Sequence, residues 1–439
     1  MLFESSTKVD KEPSQYMSSL HSVRYSCFKV QEVAAKDKLC HFDLDPSKLE
    51  DMVQLVVSIL KRDHNDFTKI PSYGCWRYFD LDGVSCIQKL IDSWVNVDTT
   101  EQVRRVLDLF VVFILLDCNL GRDYAFREST TNYTNKRREG IAAGVWKMFL
   151  AGTFSADPNQ PHKVDLKALI NLTQSDFSNG FENNLFESED SLDDKYRLIK
   201  HLANVLQSRS GYFGSEEGHD LRPGNLIDYL LLHPTTIKTR KGPLIHIEAI
   251  WPVVLEIGKP SVFNNSLDQL GDVWSCPTLG PNELVSFHDL SQWMVYSIIE
   301  PMEKLMGAII EGTEQLTSPS DYPNGGLLID TGFIALKKED YERGVEMFHR
   351  NSLLPGQPKV EVIPMFDISD PVVIEWRALT TAYMDILSEQ VRTVLRVEKK
   401  TLRLSQIIQS GTHTAGRELA EITRPNTQEP PIIMKIHTI

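Results

Sequence analysis

A strongly apolar stretch between residues 98 and 117 constrains the fold of this chain most. Asp98-Thr99-Thr100-Glu101 has the form of a helix cap. The most apolar run that follows, residues 109–116, is bounded by Asp108 and Asp117 and is far shorter than the roughly 20 residues of a membrane span. We therefore predict a helix buried in a protein core. Its apolar face is wide and has helical spacing: Val103, Val106, Leu107, Phe110, Val111, Ile114 and Leu115.

Other segments also favour helices. Pro371 opens a long helical pattern, because proline is well placed in a first turn. Residues 286–289, Ser-Phe-His-Asp, predict a capping box that opens a helix ending at Glu300, before Pro301. Residues 323–326, Pro-Asn-Gly-Gly, predict a turn, and residues 243–256 fit a strand or a helix. Since no series of alternating strands occurs, we predict a mainly α fold with a few short strands.

The 439 residues suggest a short leader followed by one large domain. Residues 1–24 are rich in Ser and Lys and predict a flexible leader. Residues 25–439 predict the main domain, either as one unit or as two lobes, 25–177 and 196–439. The two lobes would be joined by residues 178–195, an acidic run that is typical of a solvated loop.

Composition excludes some classes of function. The chain has 46 Lys and Arg against 60 Asp and Glu, a net charge of −14, which argues against nucleic-acid binding. A small phosphorylated ligand needs only a few local cations and is not excluded. Six cysteines without a CxxC pair, and a polar N-terminus with Glu4, predict a reduced protein of the cytoplasm, or also of the nucleus, that does not associate with membranes.

No standard catalytic signature occurs, and the histidines lack metal-ligand spacing, so neither a metal nor a cofactor is predicted. Four short clusters each have a structural and a functional interpretation. Trp76 and Arg77 fit an aromatic core patch or a ring platform beside an anion-binding group. His288 and Gln292 share a helix face as a surface pair or a pocket lining. The other two clusters are Glu375-Trp376-Arg377, which either pairs within the fold or contacts a ligand, and Asp321, which either initiates a turn or serves a ligand.

Several long motifs occur in order along the chain: IPSYGCWRYFDLDGV (70–84), EGIAAGVWKMFLAGTFSADP (139–158), RPGNLIDYLL (222–231), LGDVW (270–274), LVSFHDLSQWMVYSIIEP (284–301), DYPNGGLLIDTG (321–332), IEWRALTTAYMDIL (374–387) and SGTHTAGRELA (410–420). In these stretches the sequence resembles the uracil-catabolism protein 4 family of fungal and bacterial proteins, which are needed to use uracil as a nitrogen source. The resemblance implies a pathway that opens the uracil ring on a nucleotide, passes through a ribosylurea-type compound and releases urea. One step of such a pathway must cleave a C1′–N bond.

The sequence departs from the family pattern at four places. Pro323 stands where the family usually has an Arg before Asn-Gly-Gly. Residues 410–413 read Ser-Gly-Thr-His where the family often has Gly-Gly-Thr-Trp. The segment 119–128 and the C-terminal residues 434–439 also differ. These departures leave open a divergent relative with altered activity.

A second likeness indicates the chemistry. FHDLSQW and SDYPNGGLLIDTG are similar to two motifs of the queuosine 5′-phosphate N-glycosylase family, whose helical fold is akin to DNA glycosylases. By this likeness His288 matches a basic residue near the ribose phosphate, and Asp321 matches the catalytic acid. Asp321 is therefore the expected stabiliser of an oxocarbenium-like transition state, with Glu375 and Asp330 as rivals. His288 is the expected donor to the leaving urea or ligand of the phosphate.

The remaining candidates would bind the substrate. Gln292 and Asn324 are expected to hydrogen-bond urea or ribose hydroxyls, and Tyr322 follows the acid in the matched motif. Arginines would hold a 5′-phosphate in a fork, and tryptophans would form the pocket wall. These candidates are Arg77, Arg222 and Arg377, and Trp76, Trp274 and Trp293.

Two functions of different classes follow from the sequence. The first is an N-glycosidase that hydrolyses the C1′–N bond of a ribosylurea-type nucleoside or nucleotide. The second is a protein of the same pathway that binds a nucleotide or a partner without catalysis. In both cases the expected ligand is a small ribosyl or ribose-phosphate compound.

Overall fold

The computed structural model describes residues 13–81, 84–117, 133–181, 189–214, 220–259, 270–351 and 361–435. Helices dominate, and the strands are two to four residues long, so the predicted mainly α fold with a few short strands is confirmed. A likeness to DNA glycosylases stays a prediction.

The helices are α1 Pro13–Met17, α2 Leu20–Ala34, α3 Lys48–Asp63, α4 Cys86–Ser93, α5 Thr99–Asp117, α6 Tyr133–Leu150, α7 Leu166–Asn171, α8 Gln174–Gly180, α9 Glu189–Ser208, α10 Ser210–Phe213, α11 Leu226–Leu232, α12 Ile247–Ile257, α13 Asp289–Met306, α14 Tyr322–Asp330, α15 Lys338–Asn351, α16 Pro371–Leu395, α17 Leu404–Ile407 and α18 His413–Thr423. The strands are β1 Phe42–Leu44, β2 Asp80–Leu81, β3 Val84–Ser85, β4 Ile237–Lys238, β5 Pro243–His246, β6 Val273–Ser275, β7 Leu284–Ser286, β8 Ile309–Glu311, β9 Ile334–Leu336, β10 Met365–Asp367 and β11 Ile433–Lys435.

Helix α5 is the buried helix that the sequence predicts. The Asp98 carboxylate accepts a hydrogen bond from the Glu101 amide at 2.9 Å, which caps the first turn. Every side chain from Val106 to Asp117 is buried, and α5 packs against α6 and α13. An unbroken run of apolar residues suits this central place, because no face of the helix meets water from Val106 to Asp117.

The apolar side chains form two large cores. The first core is built mainly from the middle of the chain and includes α5, α12 and α13. The second core draws on both ends, because α2 and α3 pack there with α16. Strand β7 and the start of α13 connect the two, since Phe287 belongs to the second core and Trp293 to the first.

Short ladders tie distant segments together. Strand β1 pairs with β9 in antiparallel fashion, and β10 pairs with β11 in parallel. Strand β5 lies between β4 and β8. The segment 243–256 therefore contains both of the elements proposed for it, since β5 leads directly into α12.

Four local expectations are corrected by the structure. Residues 323–326 lie inside α14 and do not form a turn. Helix α13 continues through Pro301 to Met306 because the residues around the proline are buried against the core. Helix α9 begins at Glu189, inside the predicted acidic loop. The predicted leader is helical from Pro13 onward, in α1 and α2. The altered segment 119–128 lies outside the described residues, and a division into lobes stays a prediction.

Candidate functional site

The candidate site is built around a buried loop between the two cores. We call residues 316–321 the site loop; it leads into α14, and its members from Leu316 to Ser320 are buried. Helix α13 holds the loop by its side chains. The Gln292 carboxamide oxygen accepts from the Thr317 amide at 2.8 Å, and its nitrogen donates to the Thr317 hydroxyl at 2.8 Å. The Tyr296 hydroxyl donates to the Thr317 carbonyl at 3.0 Å.

Asp321 ends the site loop and caps α14. Its Oδ1 accepts from the Asn324 amide at a long 3.4 Å. Its Oδ2 lies 2.7 Å from Nε2 of His413, the first residue of α18. The side chain of Asp321 is 21% exposed, whereas that of His413 is 6% exposed. The carboxylate is therefore held firmly on one side and is open to solvent on another.

The side chain of Asn324 has a fixed orientation and an unused acceptor. Its Nδ2 donates to the Pro319 carbonyl at 3.2 Å and to the Ser318 hydroxyl at 3.0 Å. Since a carbonyl can only accept, the amide nitrogen must face Pro319. Asn324 Oδ1 is buried and has no hydrogen-bond partner among the described residues. A buried acceptor of this kind calls for a donor from a ligand or water.

A buried arginine cluster supports the site loop from its other side; it comprises Arg377, Asp272, Asp289 and Ser320. The Arg377 guanidinium reaches both Asp272 oxygens at 2.9 and 2.7 Å and Asp289 Oδ2 at 3.1 Å. Its Nε donates to the Ser320 hydroxyl at 2.9 Å. Asp289 in turn accepts from the amide and the hydroxyl of Ser320. The residue before Asp321 is thus fixed by charged partners from α13 and α16.

The two carboxylates of this cluster respond differently to one cation. Burial raises the pKa of Asp289, the Asp272 charge adds to this, and Arg377 only partly opposes it. Burial also acts to raise the pKa of Asp272, but the bidentate Arg377 outweighs it, and that pKa is lowered. With both acids ionised, the cluster carries one excess negative charge.

His288 lies beside the arginine cluster, but its ring nitrogen bonds to α1 and not to the site loop. It is the N-cap residue of α13, in the left-handed conformation with φ +50°, and its side chain makes no cap hydrogen bond, so the predicted capping box does not form. Its buried Nε2 donates to the Met17 carbonyl at 2.8 Å. Burial lowers the pKa of His288, which favours the neutral ring.

Glu375 has surroundings that differ from those of a catalytic acid. Its carboxylate accepts from the backbone amides of Cys40, His41 and Phe42 at 3.0, 2.9 and 3.1 Å. The Thr278 hydroxyl donates to the same group. Four donors occupy the two oxygens, so Glu375 fixes the start of β1.

Two of the three candidate phosphate-binding arginines are paired elsewhere. Arg77 forks onto Glu300 of α13, with distances of 3.0 and 3.2 Å. Arg222 binds Asp108 at 2.7 Å and Glu101 at 3.0 Å, both on α5. Neither set of contacts includes a residue of the site loop.

The aromatic candidates are divided between the site and the cores. The Trp274 indole donates to Asp272 at 2.7 Å, so it supports the arginine cluster. Trp76 packs edge-on against Phe110, with ring centroids 5.9 Å apart. Trp293 packs against Phe113 in the same core.

Tyr322 and Asp330 sit at the two ends of α14 and bind the C-terminal segment. The Tyr322 hydroxyl lies 3.4 and 3.3 Å from the backbone oxygen and nitrogen of Met434. Asp330 forms a fork with Arg424 at 2.8 and 2.7 Å.

The structure therefore brings together Asp321, Asn324, Gln292, Arg377 and Trp274 around the site loop. Sequence reasoning missed His413, Asp289 and Asp272, although each lies in a stretch that carried the family resemblance. His413 follows a π-helical turn at Ile408–Thr412, a feature that is frequent at functional sites but has no sequence signature.

The described residues offer no metal site, since no group of three His, Cys, Asp or Glu side chains is arranged to hold an ion there. No helix within these ranges is both long enough and apolar enough to cross a membrane.

Comparisons with known proteins assign the family. A family model described as "Protein of unknown function (DUF1688)" matches residues 16–438. "Uracil catabolism protein 4" of Lachancea kluyveri is 31% identical over 442 residues, which cover 96% of this chain and 97% of the relative. The chain belongs to the uracil catabolism protein 4 family. Another similar protein, "Protein urg3" of Schizosaccharomyces pombe, is 28% identical over 429 residues, 95% of this chain and 96% of that protein.

Membership of the uracil catabolism protein 4 family agrees with the resemblance in the sequence motifs. The matched region includes residues 16–24, the end of the predicted leader. Two of the departures from the family pattern, Pro323 and His413, lie in α14 and α18 on either side of Asp321.

Proposed function

We propose that this protein acts in uracil catabolism as an N-glycosidase that hydrolyses the C1′–N bond of a ribosylurea-type compound. The observation that carries the proposal is the partly exposed Asp321 carboxylate, which accepts from the backbone amide of Asn324, a residue whose buried Oδ1 has no partner among the described residues. The name of the 31% identical relative supports the pathway. A cytoplasmic location and a ribosyl or ribose-phosphate ligand are part of the proposal.

Asp321 would stabilise the charge that develops on the ribose. As the C1′–N bond breaks, its electron pair leaves with the urea nitrogen and C1′ becomes positive. A fixed carboxylate lowers the energy of that state because it is already oriented when the charge appears. Water then bonds to C1′ and gives its proton to Asp321, which releases it to solvent. The urea nitrogen takes up one proton from solvent, so the products are urea and ribose, or ribose 5-phosphate from the phosphorylated compound, with no net proton consumed.

Asn324 would recognise the leaving group. Urea and ureido groups are rich in N–H donors, and Oδ1 of Asn324 is a buried acceptor that no described residue bonds to. The Pro319 carbonyl prevents the amide from flipping to present nitrogen instead. A ligand N–H at this place would satisfy a group whose burial costs about 1–3 kcal/mol when unpaired.

The alternative is a non-catalytic binding protein of the same pathway. It is favoured by the structural duties that Asp321 already has, since the carboxylate caps α14 and pairs with His413. An aspartate with two structural partners can be retained for stability alone.

The two proposals differ in the effect of one substitution. Purified protein is incubated with ribosylurea and, separately, with its 5′-phosphate, and free urea is measured. Asp321→Asn keeps a good N-cap residue, and it is expected to lower urea release by a factor of at least about 100, the scale of one lost electrostatic group. Asp165→Asn is the matched control, because Asp165 caps α7 by the same kind of bond at 2.9 Å.

Each outcome favours one function. Urea release from either compound that is lost in Asp321→Asn and kept in Asp165→Asn supports the glycosidase. Absence of urea release, together with a dissociation constant for either compound that Asp321→Asn leaves unchanged, supports the binding protein.

A further inference from the structure

We infer that His413 is the positioning residue of Asp321: its Nε2–H locks the carboxylate in the orientation that faces the reacting carbon. This inference rests on the proposed glycosidase function. His413 and Asp321 are 2.7 Å apart at Nε2 and Oδ2.

The Asp321 carboxylate places the proton of His413. Three acceptors surround the two hydrogens of Asn324 Nδ2: the Ser318 hydroxyl at 3.0 Å, the Pro319 carbonyl at 3.2 Å and His413 Nε2 at 3.2 Å. The amide can therefore bond to Ser318 and Pro319 without His413. The Asp321 oxygen lies nearer to Nε2, at 2.7 Å, and a nitrogen lone pair facing it would be repelled. We therefore assign the hydrogen of His413 to Nε2, where it faces Asp321.

The imidazole itself is fixed by rings. The His413 ring meets the Tyr73 ring edge-on, with centroids 5.2 Å apart at 83°. Tyr73 in turn packs against Tyr296 at 5.7 Å, and the Tyr296 hydroxyl is bonded to the site loop at Thr317. This chain of contacts joins His413 to the loop that carries Asp321 by a second route.

The backbone fixes the imidazole from another direction. A Cβ at Gly416, one turn along α18, would lie 2.0 Å from the Pro323 carbonyl oxygen. Helices α18 and α14 are thus in close backbone contact within three residues of His413 and two residues of Asp321.

Asp321 needs this partner because its other restraint is weak. The cap bond from the Asn324 amide is 3.4 Å long, beyond the usual range for N–H···O. Without His413, the carboxylate could rotate about its side-chain bonds. A displacement of about 1 Å at a reacting group costs on the order of 100-fold in rate. His413 contacts Asp321 and not the substrate, so its loss should lower kcat and leave KM nearly unchanged.

The test compares two substitutions at one position. His413→Ala removes the donor and is expected to lower kcat for urea release about 100-fold, with KM within about threefold of wild type. His413→Gln keeps an N–H donor on a side chain of similar reach. Its kcat should therefore be at least about tenfold higher than that of His413→Ala. His201→Gln is the matched control, since His201 is a partly buried histidine whose Nε2 lies 3.2 Å from the Ile257 carbonyl, outside the site.

A background that lacks the acid separates positioning from structure. In Asp321→Asn protein, His413→Ala should cause no further loss of rate, because residues that act as a unit are non-additive. Melting temperatures of all variants are measured alongside. If His413→Ala does not fold, His413→Gln and His201→Gln are compared. A kcat that is lowered only in His413→Gln supports the positioning role, and an equal kcat in the two variants overturns it.

The outcomes distinguish the two proposals. If the wild-type protein releases urea, Asp321→Asn abolishes this release and His413→Ala leaves it unchanged, the positioning role is overturned and the glycosidase stands. Equal losses in His413→Ala and His413→Gln, with the melting temperature lowered in both, also overturn it. Absence of urea release by the wild type overturns the glycosidase and this inference together.

Discussion

At the scale of single residues, one arginine stabilises two buried acids. Arg377 neutralises Asp272 through a bidentate contact and also reaches Asp289, so the cluster holds more negative than positive charge. Removing a buried cation leaves uncompensated carboxylates, whereas removing one of two acids leaves a balanced pair. The two substitutions should therefore lower the free energy of unfolding by different amounts, which can be measured.

Arg377→Met is expected to lower the free energy of unfolding by about 3–5 kcal/mol, because Asp272 and Asp289 lose their only cation among the described residues. Asp289→Asn is expected to change it by less than about 1 kcal/mol, since a one-to-one pair remains. Guanidinium chloride unfolding at neutral pH measures both. Equal losses in the two variants would contradict an excess of negative charge in the arginine cluster.

The sequence could predict part of the site at this scale. Asp321, Asn324, Gln292 and Arg377 lie in recognisable motifs and meet at the site loop. The contacts of Asp321 with His413, and of Arg377 with Asp272, join segments far apart in the chain. No local pattern encodes such a pairing, and the assignment of a donor role to His288 could not foresee its bond to Met17.

At the scale of elements, the contact between α14 and α18 determines where Asp321 meets His413. Residues 323–326 predicted a turn, because Pro, Asn and Gly favour turns locally. They are helical here, since Asp321 caps the helix, Pro323 fits the first turn, and the glycines allow close packing. At Gly325 a Cβ would lie 2.6 Å from the Trp376 ring. Tertiary packing therefore overrides the local preference.

Gly416→Ala tests this contact. Its Cβ would lie 2.0 Å from the Pro323 oxygen, so the helices must separate. We expect a loss of about 3 kcal/mol in the free energy of unfolding, at the upper end for overpacking. Gly326→Ala, inside α14, is the matched helical control, because its nearest neighbour is a Pro431 side-chain atom at 3.2 Å. It should lie within about 1 kcal/mol of wild type.

The test compares the free energies of unfolding of Gly416→Ala and Gly326→Ala. Both substitutions gain the same helix propensity, so a similar stability for both variants would show that α14 and α18 tolerate separation. In that case the backbone contact could not fix His413.

The long elements were predictable, and their ends were less so. Helices α5 and α16 begin where the sequence indicates, at a capped or proline-initiated turn. Helix α13 passes Pro301, although a proline inside a helix costs about 3 kcal/mol, because its flanking residues are buried on both sides. Burial of this extent cannot be read from one sequence.

At the scale of the whole molecule, the site lies where the two cores meet. Leu316 at one end of the site loop belongs to the first core, and Leu327 in α14 belongs to the second. The C-terminal segment closes over the second core and contains Glu429, whose Oε2 is buried and has no hydrogen-bond partner among the described residues. Burial, with Glu361 adding and Arg424 opposing, raises the pKa of Glu429 to about 7.

Global stability should therefore depend on pH through Glu429. Its ordinary pKa is 4.5 and its folded value is about 7. Between these values the folded state holds a proton that the unfolded state has lost, so the free energy of unfolding falls as pH rises through this window. Glu429→Gln is expected to be more stable than wild type at pH 8, by up to about 3 kcal/mol, and equal to it at pH 4. Melting temperatures of both proteins at both pH values measure this. If the variant exceeds wild type by the same amount at pH 4 and at pH 8, Glu429 is not the cause of the pH dependence.

The packing of α2 on α16 has a consequence for the newborn chain. Arg24 and Asp385 join these helices at 2.6 Å, and the apolar face of α2 with Val23, Cys27 and Val30 is buried in the finished protein. A ribosome adds about 5–20 residues per second, so α2 waits on the order of 20–70 seconds for α16 to be made. Throughout that interval this face lacks its α16 partner. We therefore expect the α2 segment to be bound during translation by chaperones that recognise apolar helices.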